Sequence, residues 1–320
     1  MARSRLAAPP TLAAPALAAP GVPALPPDAR AAVLAWFDER GRALAFRGTR
    51  DPYAILVSEV MAQQTQISRV LEAWSRFLET FPTVETLAAA TPADVLRAWR
   101  GMGYDRRALN LRRAARLIVD EHGGQVPSDL EALKRLPGVG PYTARAVASI
   151  AFGAPVGAVD TNVRRVLGRA LAGHDAAALP PARLQSIADA SVDPDRPGDW
   201  THAVMDVGAT ICRPRSPLCS ECPLRRWCRF ATEVVDDPAV ALRPARARAP
   251  AIPFAATTRW LRGRIVDRLR GAGGADWSIV TSPIGDHDAI AVRTALGALA
   301  RDGIVELDPT DPDRARLATI

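Results

Sequence analysis

A chain of 320 residues, 48% hydrophobic and 23% charged, has enough apolar side chain for two or three cores, which excludes a disordered or fibrous protein. No uninterrupted apolar run reaches the roughly 20 residues of a membrane-spanning helix, so no membrane role is expected. The net charge of +7 favours a polyanionic partner, because each phosphate neutralised by Lys or Arg releases a counterion.

Residues 1–27 are rich in Ala and Pro, and the many prolines break any helix, so a disordered tail is expected. Asp28 is placed as an N-cap for a first helix through Trp36 and Phe37. A second helix is expected over Tyr53 to Gln64, and a third over Ile67 to Phe81, where Val70, Leu71, Trp74, Phe77 and Leu78 recur at helical spacing. Thr91-Pro92-Ala93-Asp94 opens another helix, which Gly101-Met102-Gly103 stops. Arg106 to His122 reads as a long amphipathic helix ended by Gly123-Gly124, and Ser128-Asp129-Leu130-Glu131 as a capping box. Strand patterns are nearly absent before residue 277, so the body is all-α. Residues 231–255 turn to Pro, Ala and Arg and read as a linker. Beyond them, helices over Thr257–Arg270 and Asp288–Arg301, then strand-like Ile304–Leu307 and Arg316–Ile320, suggest a small α+β, winged-helix-like module with a two-stranded ribbon. The basic helix with Arg259, Arg262, Arg264, Arg268 and Arg270 leaves DNA contact, partner docking and a solvated face open.

Four features carry chemistry. Leu136-Pro137-Gly138-Val139-Gly140-Pro141-Tyr142-Thr143 is a hairpin between helices, in which Gly138 and Gly140 let backbone turn and approach a ligand. Thr143 is read as the start of a helix whose free N–H groups favour an anion. Asp160, in Val159-Asp160-Thr161-Asn162, is by itself an N-cap for the helix that follows; beside the hairpin and the cysteines it reads as a catalytic carboxylate. Glu59 lies in the apolar run Ala54 to Ala62, where desolvation would raise its pKa and keep it available as an acid. Gln63-Gln64-Thr65-Gln66, which follows, suits contact with base edges.

All four cysteines fall in one 17-residue window, Cys212-x6-Cys219-x2-Cys222-x5-Cys228. Four thiolates so close would repel one another without a cation, and clustered cysteines fit a metal centre in a reducing compartment better than a disulfide framework. A single Cys-x2-Cys knuckle with short outer spacers favours an iron–sulfur cluster over a zinc ribbon, with zinc left open. Nearby arginines, from Arg213 to Arg229, could neutralise the cluster and grip phosphates.

Together these residues, across 44–230, resemble the helix-hairpin-helix DNA glycosylases, and most closely their adenine-specific branch. The resemblance rests on Asp51-Pro52-Tyr53, Val57-Ser58-Glu59-Val60-Met61, Gln63 to Gln66, Phe81-Pro82-Thr83-Val84, Gly101-Met102-Gly103-Tyr104, the hairpin, Asp160 with Asn162, and the cysteine spacing. It implies a helical barrel domain at 44–154, and an iron–sulfur helical domain at 155–230 joined by the helix at 28–43. The linker and a winged-helix-like module at 256–320 would follow. It implies a [4Fe-4S] cluster on Cys212, Cys219, Cys222 and Cys228. The substrate would be double-stranded DNA in which adenine is mispaired with 8-oxoguanine or guanine, handled by a cytoplasmic, nucleoid-associated monomer.

The resemblance also assigns roles. Glu59 would protonate an extruded adenine, which must leave the base stack to be reached. Asp160 would stabilise the sugar cation, with Asn162 and Tyr142 positioning it. Gln64 and Tyr104 would wedge the duplex and, with Thr65 and Met102, contact the opposing purine; Arg47 would line the base pocket; Gly138 and Gly140 would hold a phosphate. Tyr142 stands where bifunctional relatives carry a lysine, so little or no strand-cleaving lyase activity is expected. The alternative is a thymine or uracil mismatch glycosylase of the same fold. Three departures stand out: Ala45-Phe46 precedes Arg47 in place of Pro-Trp, Asp105 replaces a common tyrosine, and no Phe-Ser-His loop for 8-oxoguanine follows residue 231, where His287 is the one histidine.

Overall fold

The computed structural model describes residues 22–173, 179–235, 252–272, 276–280 and 283–319. Most of the expected N-terminal tail and most of the linker lie outside the described residues. Thirteen α-helices occur among the described residues: α1 (Pro27–Arg40), α2 (Pro52–Ala62), α3 (Ile67–Thr80), α4 (Val84–Ala89), α5 (Pro92–Ala98), α6 (Arg106–His122), α7 (Leu130–Arg135), α8 (Pro141–Phe152), α9 (Thr161–Ala172), α10 (Pro181–Ala190), α11 (Pro197–Asp206), α12 (Thr258–Gly271) and α13 (Ala289–Arg301). A π-helical turn, Val207–Ile211, continues from α11.

The chain divides into two compact units. One takes the chain up to Glu59, with Ser128–Lys134 and the stretch from Val139 through the cysteines; the other takes Val60–Pro127, Arg135–Gly138 and the C-terminal module. The first unit is built round Val33, Val166, Leu184, Trp200 and Val204, with Cys212, Cys222 and Cys228 packed at the edge of that core. The core of the second contains Phe77, Phe81 and Trp99, whose rings meet edge to face. In the C-terminal module, Leu261, Ile265 and Leu269 of α12 and Leu296 and Leu299 of α13 are buried. Its strands, β1 (Ser278–Ile279), β2 (Val305–Leu307) and β3 (Arg314–Leu317), form an antiparallel sheet in the order β1-β3-β2. The expected ribbon therefore has a third strand, too short for its alternation to show in the sequence.

Capping residues decide the helix ends. Thr91 caps α5 through its side-chain oxygen, as the sequence suggests, while Thr257 and Asp288, expected as the first residues of their helices, stand one place outside α12 and α13 and cap them. Three starts differ. α1 begins at Pro27, because a proline at the first helical position needs no N–H partner, and Asp28 falls in its first turn. Asp129, not Ser128, caps α7 by accepting the Ala132 N–H at 2.8 Å. α8 starts at Pro141, ahead of Thr143, for the reason that moves α1. α2 ends at Ala62, short of Gln64, where the backbone swings to φ 54°.

Candidate active site

α2 is apolar on every side, and all residues from Tyr53 to Met61 are buried. Glu59 is carried inside with them, only 7% exposed. Burial pushes its carboxyl up from 4.5 to about 7; Tyr142 hydrogen bonding and the Arg47 charge pull it down, and the Asp160 charge pushes it further up. Among the described residues its Oε2 has no hydrogen-bond partner. A buried carboxyl oxygen left unmatched costs free energy until a further donor or acceptor meets it. Tyr142, in the first turn of α8, is pushed well above 10 by burial and then by Glu59 and Asp160, so it remains a hydroxyl donor. Its Oη also donates to Met205 Sδ at 3.7 Å.

Asp160 does cap α9: Oδ1 accepts the Val163 N–H at 2.7 Å. Its other oxygen, Oδ2, accepts from Asn162 Nδ2 at 3.0 Å. Capping and a chemical role are thus compatible, because the cap fixes the direction of the carboxylate. Asn162 is held in turn by Arg165, whose Nη2 donates to Asn162 Oδ1 at 2.9 Å and to the Gly208 carbonyl at 2.6 Å. Arg165 Nε donates to the Cys212 carbonyl at 2.6 Å. Three hydrogen bonds therefore join the cysteine loop to Asp160. Gly208 is required there, since a Cβ on it would stand 2.6 Å from Asn162 Cβ.

Arg47 is not free in a pocket. Its Nη1 and Nη2 grip Asp206 at 2.8 Å each, and Arg42 shares the same carboxylate. Asp206 is fully buried; burial would raise it, but the hydrogen bonds from Arg47 and Arg42 outweigh that and hold it below the usual range. Arg47 meets the need of a buried acid while its charge still reaches Glu59. His202, one turn before Asp206, is lowered to about 3 by burial and then by Arg47, and so stays neutral. Asp206 escaped sequence reasoning although its signal matched that of Glu59, a lone acid in the apolar run Ala203-Val204-Met205-Asp206-Val207.

The hairpin separates the two glycines. Gly138 takes φ 80°, and a Cβ there would lie 2.8 Å from Asn110 Cβ, so the turn needs glycine. Gly140 is extended at φ −84° and needs no left-handed freedom; a Cβ on it would meet nothing within 4 Å, which leaves open approach before the N-terminus of α8.

In the second unit, Gln64 and Tyr104 are both non-glycine residues with positive φ, 54° and 49°. One side chain that sequence reasoning passed over holds both. Arg107 donates to the carbonyls of Val60 and Met61 in the last turn of α2 and of Gln63 just beyond it, to Thr65 Oγ1, and to the carbonyls of Met102 and Gly103 at 3.1 Å each. Gln63 Nε2 donates to the Gly138 carbonyl at 3.2 Å. Met102 is buried, whereas Tyr104 is 38% exposed.

Cys212, Cys219, Cys222 and Cys228 line one small cavity with Arg169, Pro217 and Phe230. Among the described residues, no three His, Cys, Asp or Glu side chains stand in a ready-made metal-holding geometry. The donor set nevertheless fits a cation. Burial pushes the Cys222 thiol up to about 12, and the Cys212, Cys228 and Cys219 sulfurs add to it, so thiolates gather here only round positive charge. Arg169, buried beneath the loop, donates to Cys212 Sγ at 3.6 Å and to the Arg213 carbonyl at 2.8 Å.

The chain resembles known proteins in sequence and fold. Residues 57–185 match the HhH-GPD superfamily base excision DNA repair protein family. The chain is 41% identical over 277 residues to the adenine DNA glycosylase of Mycolicibacterium smegmatis, covering 86% of this chain and 91% of that one. It is 43% identical over 216 residues to the adenine DNA glycosylase of Homo sapiens, of which it spans 40%. Among solved structures, a thermostable thymine-DNA glycosylase matches at 29% identity and a TM-score of 0.60, over 64% of this chain and 95% of that one. An endonuclease III–DNA complex matches at 27% identity and 0.52, over 64% and 94%. The chain is thus a helix-hairpin-helix base excision DNA repair protein. Within that superfamily it belongs to the adenine DNA glycosylase family.

Proposed function

We propose that this protein excises adenine mispaired with 8-oxoguanine or guanine in double-stranded DNA, by monofunctional glycosylase chemistry. The observation that carries the reading is Glu59: buried, raised to about 7, and with Oε2 unmatched, beside Tyr142 and Asp160. Near neutral pH a large share of it holds a proton, as a general acid should. Glu59 donates that proton to a ring nitrogen of the extruded adenine, the C1′–N9 bond breaks, and its electrons leave with the base. The sugar is left as an oxocarbenium ion, which Asp160 stabilises through space or by transient bonding until water adds. Asn162 and the α9 N-terminus aim that carboxylate. Tyr142 donates toward Glu59 and, having no amine, cannot form the imine on which lyase cleavage depends. Gln64, Thr65, Met102 and Tyr104 meet the duplex at the gap, Arg47 sets the charge near Glu59, and Gly138 and Gly140 take a phosphate.

The four cysteines are the ligands of a [4Fe-4S] cluster, which when bound supplies a rigid cross-link to the Arg-rich loop. The protein works as a monomer on cytoplasmic, nucleoid DNA; among the described residues, no helix is long and apolar enough to cross a membrane. One incubation with four labelled duplexes, A opposite 8-oxoguanine, A opposite G, T opposite G and U opposite G, followed by alkali, tests the reading. Cleavage of the two adenine duplexes supports it. Cleavage confined to the T or U duplexes overturns it in favour of the thymine glycosylase branch, and nicking without alkali overturns the monofunctional assignment. A brown protein that loses its visible absorbance with acid-released iron supports the cluster; stoichiometric zinc refutes it.

A further inference from the structure

Tyr104 does not stand alone. Arg259, at the start of α12, holds its guanidinium carbon 3.9 Å from the centroid of the Tyr104 ring and 5.8 Å from that of Phe254. A guanidinium so close to an aromatic face is held by the ring quadrupole. The same helix is locked to the loop that carries Tyr104. Buried Arg270 donates from Nε to the Leu96 carbonyl at 2.8 Å, pairs with Asp267 at 2.8 Å, and closes on Asp105. Asp105, an unexpected residue in the sequence, is thus one anchor point for the C-terminal module, beside the Leu96 carbonyl and the Arg106–Asp302 pair. Arg262 is likewise consumed by Asp302. Arg259 differs: among the described residues it has no carboxylate partner, so its fork of donors is not spent on an acid.

Arg259 lines a cavity of about 750 Å³ with Gln64, Arg69, Met102, Tyr104 and Phe254. That volume suits a nucleotide-sized group. The lining offers an aromatic face, an amide edge and two cations with no acid partner among the described residues, Arg69 and Arg259. Beside them stand Arg107, whose donors go to carbonyls, and the carboxylates of Asp105 and Asp267, which Arg270 holds. The set is matched to a planar base on a phosphate chain. Guanidinium donors fit the O6 and N7 acceptors of guanine, and the O6 acceptor persists in 8-oxoguanine.

We propose that Arg259 is a specificity-determining residue that holds the purine opposite the excised adenine, so that the C-terminal module completes the reading site begun by Gln64 and Tyr104. This rests on the excision reading above. Stacked on Tyr104, the guanidinium stays beside the wedge and presents donors to the purine's O6. A lysine, being a point charge without a planar fork, cannot do both.

The test is a ratio. Single-turnover adenine release is measured for wild type, Arg259→Ala and Arg259→Lys on duplexes with guanine, 8-oxoguanine or an abasic residue opposite the adenine. The expected result is that the guanine-to-abasic and 8-oxoguanine-to-abasic rate ratios fall at least tenfold in both variants. A structural defect would slow all three duplexes alike and leave the ratios fixed; that result, or no change in any rate, overturns the proposal. If wild type releases no adenine at all, the excision reading fails on its own account. Arg259 is then judged from equilibrium binding to the same duplexes carrying 2′-fluoroadenosine: loss of the preference for an opposing purine in Arg259→Ala supports it, and an unchanged preference refutes it.

Discussion

The two units handle charge in opposite ways. In the first, Glu59 and Asp206 are withdrawn from water and Tyr142 is half-buried, and each is fixed or shifted by its neighbours. In the second, Tyr104 and Arg259 stand at a groove, held by a cation–π contact and a left-handed backbone. Bond breaking needs desolvation, because only there does a carboxyl keep its proton near pH 7. Reading a base needs access and a shape prepared before the partner arrives. On the proposed function, the contrast teaches that desolvation serves the chemistry and a preset local backbone serves recognition.

That contrast can be broken from its strong end first. Glu59→Gln should slow single-turnover adenine release by about 10³-fold while duplex affinity changes little, in line with the loss of a general acid; equal rates would remove Glu59 from the chemistry. Asp206→Ala should destabilise the first unit by about 3–5 kcal/mol in urea titration, because Arg47 and Arg42 lose their shared buried counter-ion. Gly208→Ala should slow release by about 10–100-fold with near-normal binding, since a Cβ forces Asn162 and the Asp160 carboxylate off line. Tyr104→Ala should weaken affinity for the mispaired duplex about tenfold, the worth of one stacked base, and leave urea stability within error.

The smallest effect concerns pH. Glu59 titrates higher in the folded protein than the ordinary 4.5, so the folded state keeps a proton that the unfolded chain gives up. Stability from neutral Glu59 is complete below about pH 4.5 and is lost as pH rises through about 7. Glu59→Gln should therefore raise the melting temperature by a few degrees at pH 8 and leave it unchanged at pH 4.5. Wild-type release should decline above pH 7 as the acid empties.

Much of this was legible in the sequence, for reasons that also mark where legibility stops. Thr91-Pro92 announces a helix start because a cap is a local hydrogen bond, and the starts at Thr257 and Asp288 were legible to within one residue. Ser128 misleads because Asp129 competes for the same N–H groups and wins. Glu59 is visible as one acid in an apolar run, and Asp206 carries the same signal. Arg165, Arg107 and Arg259 are not visible: each acts on backbone carbonyls or rings supplied by distant stretches of chain, and an arginine in a basic helix looks alike whether it faces solvent or a tyrosine.

The link from Cys212 through Arg165 and Asn162 to Asp160 makes the direction of one carboxylate depend on a loop it never touches. On the proposed function, a disturbed thiol loop would misdirect Asp160 while leaving the second unit's duplex-facing residues intact, so excision would be lost before DNA binding.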